Sequence, residues 1–202
     1  SITENHPSKL AINSNAHALA RYSALVQECN MVPIVEPEVL MDGKHSAQDC
    51  FTKTSAVISK CFEELILHKV DLTGVILKPN MIISGIDSKN KIGGNEIAKL
   101  TLDCLKNSVP SEVPGIAFLS GGQSEVQATV NLQAMNALGD LPWNLGYSYG
   151  RALQAPAIAA WGGKSENISA GQSELLKRCK ANTAATLGKY TAELENETTL
   201  NV

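Results

Sequence analysis

The sequence predicts an α/β fold, with parallel strands joined by crossover helices. Three observations carry that reading. Four short runs of apolar and branched residues recur along the 202-residue chain, each with the length and composition of a buried strand. Longer segments between them return their apolar residues at helical spacing. The two kinds alternate, strand then helix, which is the order that parallel strands with crossover connections require.

Taken in order, the chain opens on a helix at about 8–28 that has no strand ahead of it. The first strand, Val32-Pro33-Ile34-Val35, leads to a helix at 46–68. Val75-Ile76-Leu77 is the second strand, with a helix at 95–107, and residues 115–119 (Gly-Ile-Ala-Phe-Leu) are the third, with a helix at 124–137. The fourth, 145–149, precedes a pair of helices at 152–161 and 165–185. After Tyr190 the residues become polar and weakly periodic, so 1–190 reads as one domain and 191–202 as a loosely held tail.

Composition narrows the function. A hydrophobic share of 44% with 18% charged residues is that of a soluble globular chain. The formal charge of −3 is well mixed in sign, so no basic surface points to nucleic acid or anionic lipid, and no apolar run is long enough to span a bilayer. A small molecule is the expected partner. The five cysteines, Cys29, Cys50, Cys61, Cys104 and Cys179, are an odd number without a C-x-x-C pair, which argues against a disulfide framework or zinc knuckle and favours a reducing cytoplasm.

Within the α/β class the choice lies between an open sheet and a barrel. Gly93-Gly94 and Gly121-Gly122 are pairs, not a G-x-G-x-x-G fingerprint, and no phosphate-loop motif is present. Each strand instead ends in chemically capable groups: Glu36-Pro37-Glu38, Lys78-Pro79-Asn80, Ser120-Gly121-Gly122-Gln123 and Gly150-Arg151. The C-terminal edge of the strands is the active-site face of a (β/α)8 TIM barrel, a fold that takes ~250 residues. With four strands, the chain is expected to supply the last four βα units of such a barrel.

Lys78 is the most informative residue. It ends a buried strand, where lysine is uncommon, and desolvation there favours the neutral amine that attacks a carbonyl to form a Schiff base. A snorkelling lysine, or one paired with a core carboxylate, explains the same position. Glu36 and Glu38 end the preceding strand on one side of it, where two carboxylates near an amine can divide acid and base duties or merely neutralise it. Ser120, Gly121 and Gly122 after the third strand, with Ser148, Gly150 and Arg151 after the fourth, suit an anion held by backbone N–H groups and a guanidinium. Those loops correspond to the ones after strands 7 and 8, where barrels frequently bind phosphate. The histidines His6, His17, His45 and His68 show no H-x-x-H or H-E-x-x-H spacing, so metal-free chemistry is expected. Trp143, Trp161 and the stripe Leu175, Leu176, Cys179 read as core.

The segments VPIVEPEVL (32–40), GVILKPNM (74–81), GIAFLSGGQS (115–124) and SYGRALQ (148–154), followed by Trp161-Gly162-Gly163-Lys164, together resemble class I fructose-bisphosphate aldolases over about 10–190. The resemblance implies that Lys78 is the Schiff-base lysine, Glu36 the acid/base and Glu38 a supporting carboxylate. It implies that Ser120, Gly121, Gly122, Gly150 and Arg151 hold the substrate phosphate, with no cofactor. The implied reaction is reversible cleavage of fructose 1,6-bisphosphate to dihydroxyacetone phosphate and glyceraldehyde 3-phosphate, in glycolysis, by a cytoplasmic homotetramer. The family pattern also draws an aspartate, lysines and an arginine from four earlier strands, and its members often end in a tyrosine where this chain reads Thr199-Leu200-Asn201-Val202. Two other readings stand beside it: an incomplete half-barrel serving as an assembly module through its exposed strand edges, and a Schiff-base aldolase for another phosphorylated keto sugar.

Overall fold

In the computed structural model, which describes residues 1–196, helix α1 (Lys9–Glu28) precedes four strands, β1 (Ile34–Val35), β2 (Ile76–Leu77), β3 (Gly115–Phe118) and β4 (Asn144–Tyr147). Helices α2 (Ala47–Leu67), α3 (Gly94–Ser108) and α4 (Glu125–Asn136) alternate with them, and α5 (Arg151–Trp161) and α6 (Ile168–Thr186) follow. All neighbouring strands pair in parallel, in the order β1-β2-β3-β4. A doubly wound sheet reverses its strand order partway, whereas this one never does, as in a singly wound barrel wall.

Local chemistry sets where the helices start. The Ser8 hydroxyl accepts from the Ala11 N–H at the head of α1. Ser46 with Asp49, and Ser124 with Gln127, form capping boxes at α2 and α4, the pattern that satisfies otherwise orphaned N–H groups. Strand ends differ from expectation by one or two residues. Pro33 lacks an N–H and so falls outside β1, yet its carbonyl accepts from Ile76 N–H at 3.1 Å. Ser148 N–H still donates to Phe118 O at 2.9 Å, one residue past β4.

Right-handed crossovers in a sheet of unreversed order lay every helix on one face, and the burial pattern records it. Val35, Leu77, Ile116, Phe118 and Leu145 are buried toward the helices, where Ile58, Phe62 and Leu65 of α2, Leu102 and Leu105 of α3, and Leu132 and Met135 of α4 complete the core. Removing one such side chain from water is worth ~1.5–3 kcal/mol. The opposite face of the sheet is open, and Ile34 on it is 46% exposed.

The core is not as expected at its C-terminal end. Trp143 is buried, but Trp161, Leu175 and Leu176, expected in the core, are exposed. The reason is that α6 turns a different stripe inward: Gly171, Arg178, Ala181, Asn182 and Ala185. Arg178, only 2% exposed, takes the position an apolar residue would fill. It donates to Thr129 Oγ1 at 2.6 Å, to Glu125 O at 3.1 Å and to the Glu195 carboxylate. Burial pushes the Glu195 carboxyl up, but the hydrogen bonds from Arg178 and Tyr190 outweigh it and hold it below the usual carboxylate range. The segment expected to be a loose tail thus begins with a short 3-10 turn, Ala192–Glu195, fastened to α6. Residues 197–202, including the last four that differ from the family's terminal tyrosine, lie outside the described residues.

The two faces of the sheet differ in what truncation should cost. Phe118→Ala, on the helix face, is expected to lose about 3–5 kcal/mol of unfolding free energy, and Ile34→Ala, on the open face, no more than about 0.5 kcal/mol. Urea denaturation of the two variants measures both, and equal losses would mean that the second face is also packed.

Candidate functional site

The register of the sheet builds the site. Ile34 lies beside Ile76 and Val35 beside Leu77, so the next residues along, Glu36 and Lys78, are also side by side at the C-terminal edge. Lys78 N–H donates to Val35 O at 2.7 Å, and Lys78 Nζ stands 3.1 Å from Glu36 Oε1. Alternation along the strands turns both side chains to the open face. Lys78 is 20% exposed and Glu36 43%. The strand is buried on its helix face, and the lysine projects from the other one into an ion pair while most of its side chain stays covered.

Asn80 holds the two strand ends in place. It is buried, accepts from Val39 N–H at 2.9 Å, and donates to Thr54 Oγ1 at 3.1 Å and Met81 O at 3.2 Å. One side chain thus ties the segment carrying Glu36 and Glu38 to the segment carrying Lys78 and to α2. The sequence reading gave Asn80 no role, although its position two residues after a strand-end lysine was the available signal.

All nine residues singled out from the sequence line one cleft of about 520 Å³: Glu36, Glu38 and Lys78 from the first two strand ends, Ser120, Gly121 and Gly122 from the third, and Ser148, Gly150 and Arg151 from the fourth. Leu119, Gln123 and Ile86 complete it. Glycine is required at 122, where φ is +74° and a Cβ would come within 2.8 Å of Met41 Cβ. At Gly121 a Cβ would meet Glu38 Oε1 at 3.0 Å, so this loop and the Glu38 carboxylate are in close approach.

The far wall of the cleft suits an anion. Helix α5 begins at Gly150 and Arg151, and no side chain caps its N-terminus. The N-terminus of α4 in the neighbouring loop is already closed by Ser124 and Gln127. Unsatisfied N–H groups at a helix start, with the positive end of the helix dipole behind them and a guanidinium at the first turn, attract phosphate or carboxylate. Across the cleft, burial raises the Glu38 carboxyl above its ordinary value and Glu36 raises it further, against the opposing pull of Lys78 and Arg151. The arrangement can hold an anionic substrate at one end and present an amine flanked by two carboxylates at the other, the equipment for imine formation with proton transfer. None of the four histidines lines this cleft.

Comparisons with known proteins bear on the chain as a whole. The model of the family "Fructose-bisphosphate aldolase class-I" matches residues 1–201. Fructose-bisphosphate aldolase 4, cytosolic, of Arabidopsis thaliana is 50% identical over 195 residues, covering 96% of this chain and 50% of the relative. A fructose-bisphosphate aldolase of Dictyostelium discoideum is 48% identical over 192 residues, covering 95% of this chain and 54% of the relative. Among solved structures, the fructose-bisphosphate aldolase of Plasmodium falciparum in complex with TRAP and a small-molecule inhibitor matches with a TM-score of 0.90 and 46% identity, over 92% of this chain and 54% of that one. The chain spans about half the length of the curated relatives it matches.

The raised Glu38 carboxyl has a consequence for stability. Because the folded chain keeps this proton to higher pH than the unfolded chain does, the contribution is full below the unfolded value and is lost as pH rises through the folded one. Glu38→Gln should therefore melt at a higher temperature than the parent at about pH 7 and at the same temperature near pH 4. Thermal denaturation across that range checks it; a Glu38→Gln variant that melts lower at neutral pH would mean that the carboxylate is stabilised where it lies.

Proposed function

The chain belongs to the class I fructose-bisphosphate aldolase family, and on that premise we propose that it carries the Schiff-base half of an aldolase active site, with Lys78 as the nucleophile. The observation that supports this most directly is the convergence of the Lys78–Glu36 pair and the anion-binding wall on one cleft. Residues 1–190 are the corresponding part of a (β/α)8 barrel domain. The substrate is fructose 1,6-bisphosphate and the products are dihydroxyacetone phosphate and glyceraldehyde 3-phosphate.

The chemistry follows from the side chains. Glu36, 3.1 Å from Nζ, takes a proton from the ammonium and frees the lone pair that adds to the C2 carbonyl of the ketose. The carbinolamine so formed loses its hydroxyl as water once Glu36 returns the proton, leaving a protonated imine between Nζ and C2. That cation accepts the electron pair of the C3–C4 bond as the bond breaks, the C4 hydroxyl gives its proton to the Glu36 carboxylate, and the aldehyde departs. The enamine left on Lys78 is protonated at C3, becomes an imine again and is hydrolysed to dihydroxyacetone phosphate. The imine does what a Lewis-acid metal does in other aldol chemistry, so no cofactor is called for.

Ser120, Gly121, Gly122, Ser148 and Gly150 with Arg151 hold the ketose-end phosphate, which fixes C2 against the amine. Such positioning can lower the barrier by several kcal/mol, up to about 7–11 in well-oriented systems. Glu38 shapes the wall against Gly121 and shares proton traffic. Four relatives named as cytosolic or cytoplasmic isozymes support a cytoplasmic setting, in glycolysis, and the family resemblance supports a homotetramer. No helix among the described residues is long and apolar enough to cross a membrane.

Reductive trapping tests the proposal. Incubation with dihydroxyacetone phosphate and borohydride should add to the peptide containing Lys78 the mass of one dihydroxyacetone phosphate less one oxygen, since imine formation expels water and reduction adds two hydrogens. Lys78→Met should abolish it, and Arg151→Ala should slow trapping by dihydroxyacetone phosphate by roughly 10- to 100-fold, the loss expected for ~1.5–3 kcal/mol of charged hydrogen bonding, while leaving unphosphorylated dihydroxyacetone unchanged. Equal slowing of both compounds contradicts the phosphate assignment, and an adduct that persists in Lys78→Met contradicts the nucleophile.

A further inference from the structure

Helices α1 and α2 pack along one another, and on their solvent side three ligand-type groups meet, two of them one helical turn apart and the third distant in sequence. His17 comes from α1, Glu64 from the last turn of α2, and His68 is the residue that ends α2. His17 Nδ1 is 3.2 Å from Glu64 Oε2, and His68 Nδ1 is 4.0 Å from the same oxygen. The two imidazoles sit edge to face with centroids 4.8 Å apart. One ligand atom from each of the three residues lies within 4.8 Å of the other two.

These spacings are those of a metal site before contraction. Ligands bound tetrahedrally to zinc at about 2.0–2.1 Å stand about 3.4 Å from one another. His17 and Glu64 already meet that spacing, and His68 reaches it by a small side-chain rotation. The Glu64 carboxylate is divided to suit: Lys60 Nζ lies 3.0 Å from Oε1, which leaves Oε2 to the histidines. His68 Nδ1 is 2.8 Å from Glu64 O, a contact it exchanges for the metal when the ring rotates, leaving the ring proton on Nε2.

The His17 imidazole meets the Glu64 carboxylate directly, and the Glu64 carbonyl holds the His68 ring beside it. The two rings are 4.8 Å apart, close enough for one divalent cation to satisfy both nitrogens and the oxygen together. Two imidazoles and one carboxylate are a borderline donor set, suited to zinc and its transition-metal neighbours and ill suited to magnesium or calcium. We propose that His17, Glu64 and His68 form a zinc-binding site that staples α1 to α2, with water completing the coordination. None of the three lines the cleft of Lys78, so the cation is structural and takes no part in the proposed reaction. The staple joins residues 47 apart in sequence and fixes α1 against the rest of the fold.

Isothermal titration of the chelator-treated chain with zinc chloride, paired with thermal melts, tests this. One saturable site is expected, with a rise in melting temperature on adding zinc and none on adding magnesium. His17→Ala and His68→Ala should each weaken zinc binding by more than about tenfold, at least what loss of an outer-shell partner costs. Cys29→Ser, which removes an exposed thiol, should change nothing. The site is refuted if a folded sample shows no saturable zinc binding up to millimolar concentration. It is also refuted if affinity survives in either histidine variant or is lost in Cys29→Ser.

Discussion

The pairing of Ile34 with Ile76 and of Val35 with Leu77 is the constraint on which the rest of the site depends. In a parallel ladder a slip of one residue turns every side chain to the opposite face. Such a slip would bury Glu36 or Lys78 among the leucines and phenylalanines under the helices, where an unpaired charge costs several kcal/mol. The apolar helix face therefore enforces the register, and the register delivers an amine and a carboxylate to the same edge of the open face. Exposed ion pairs contribute only about 0–1 kcal/mol to stability, so the Lys78–Glu36 contact is better understood as chemistry positioned by the core than as a prop for it.

Two further interactions sharpen that positioning. Asn80 uses its carbonyl oxygen on one strand-end segment and its amide on the helix behind, so that the two segments move as one body. The starts of α3, α5 and α6 carry no side-chain cap, and of these α5 is the one that opens on the cleft. A helix N-terminus left open beside a guanidinium is the natural place for the negative end of a substrate. Covalent attack and charge recognition are thus assigned to different strand ends of one sheet, as barrel folds commonly arrange them.

Much of this was legible in the sequence, because the features concerned are local. Short branched runs and polar residues placed immediately after each run announce themselves within a few residues, and the helix starts expected at 8, 46 and 124 fall on the serines that cap them. What escaped is what depends on the far side of an element. The direction in which Lys78 projects follows from which face of β2 the helices cover, and no run of residues reports that. Arg178 occupies a core position because Thr129, Glu125 and Glu195 satisfy it from other segments, so the apolar stripe at Leu175 and Leu176 pointed to the wrong face of α6. The meeting of His17 with Glu64 and His68 needs two helices brought side by side, and a motif scan along one chain does not contain it.

The central claim is that the register sets the Lys78 amine directly against the Glu36 carboxylate, and a carbodiimide tests it without any substrate. The reagent joins an amine to a carboxylate only when they are already in contact, with loss of one water. In the folded chain, peptide mass spectrometry should find an isopeptide bond between Glu36 and Lys78, alongside one between Lys60 and Glu64, whose atoms are 3.0 Å apart and serve as the internal standard. Linkage at Lys60 and Glu64 with Lys78 left unmodified, or joined to a carboxylate other than Glu36, would contradict the account.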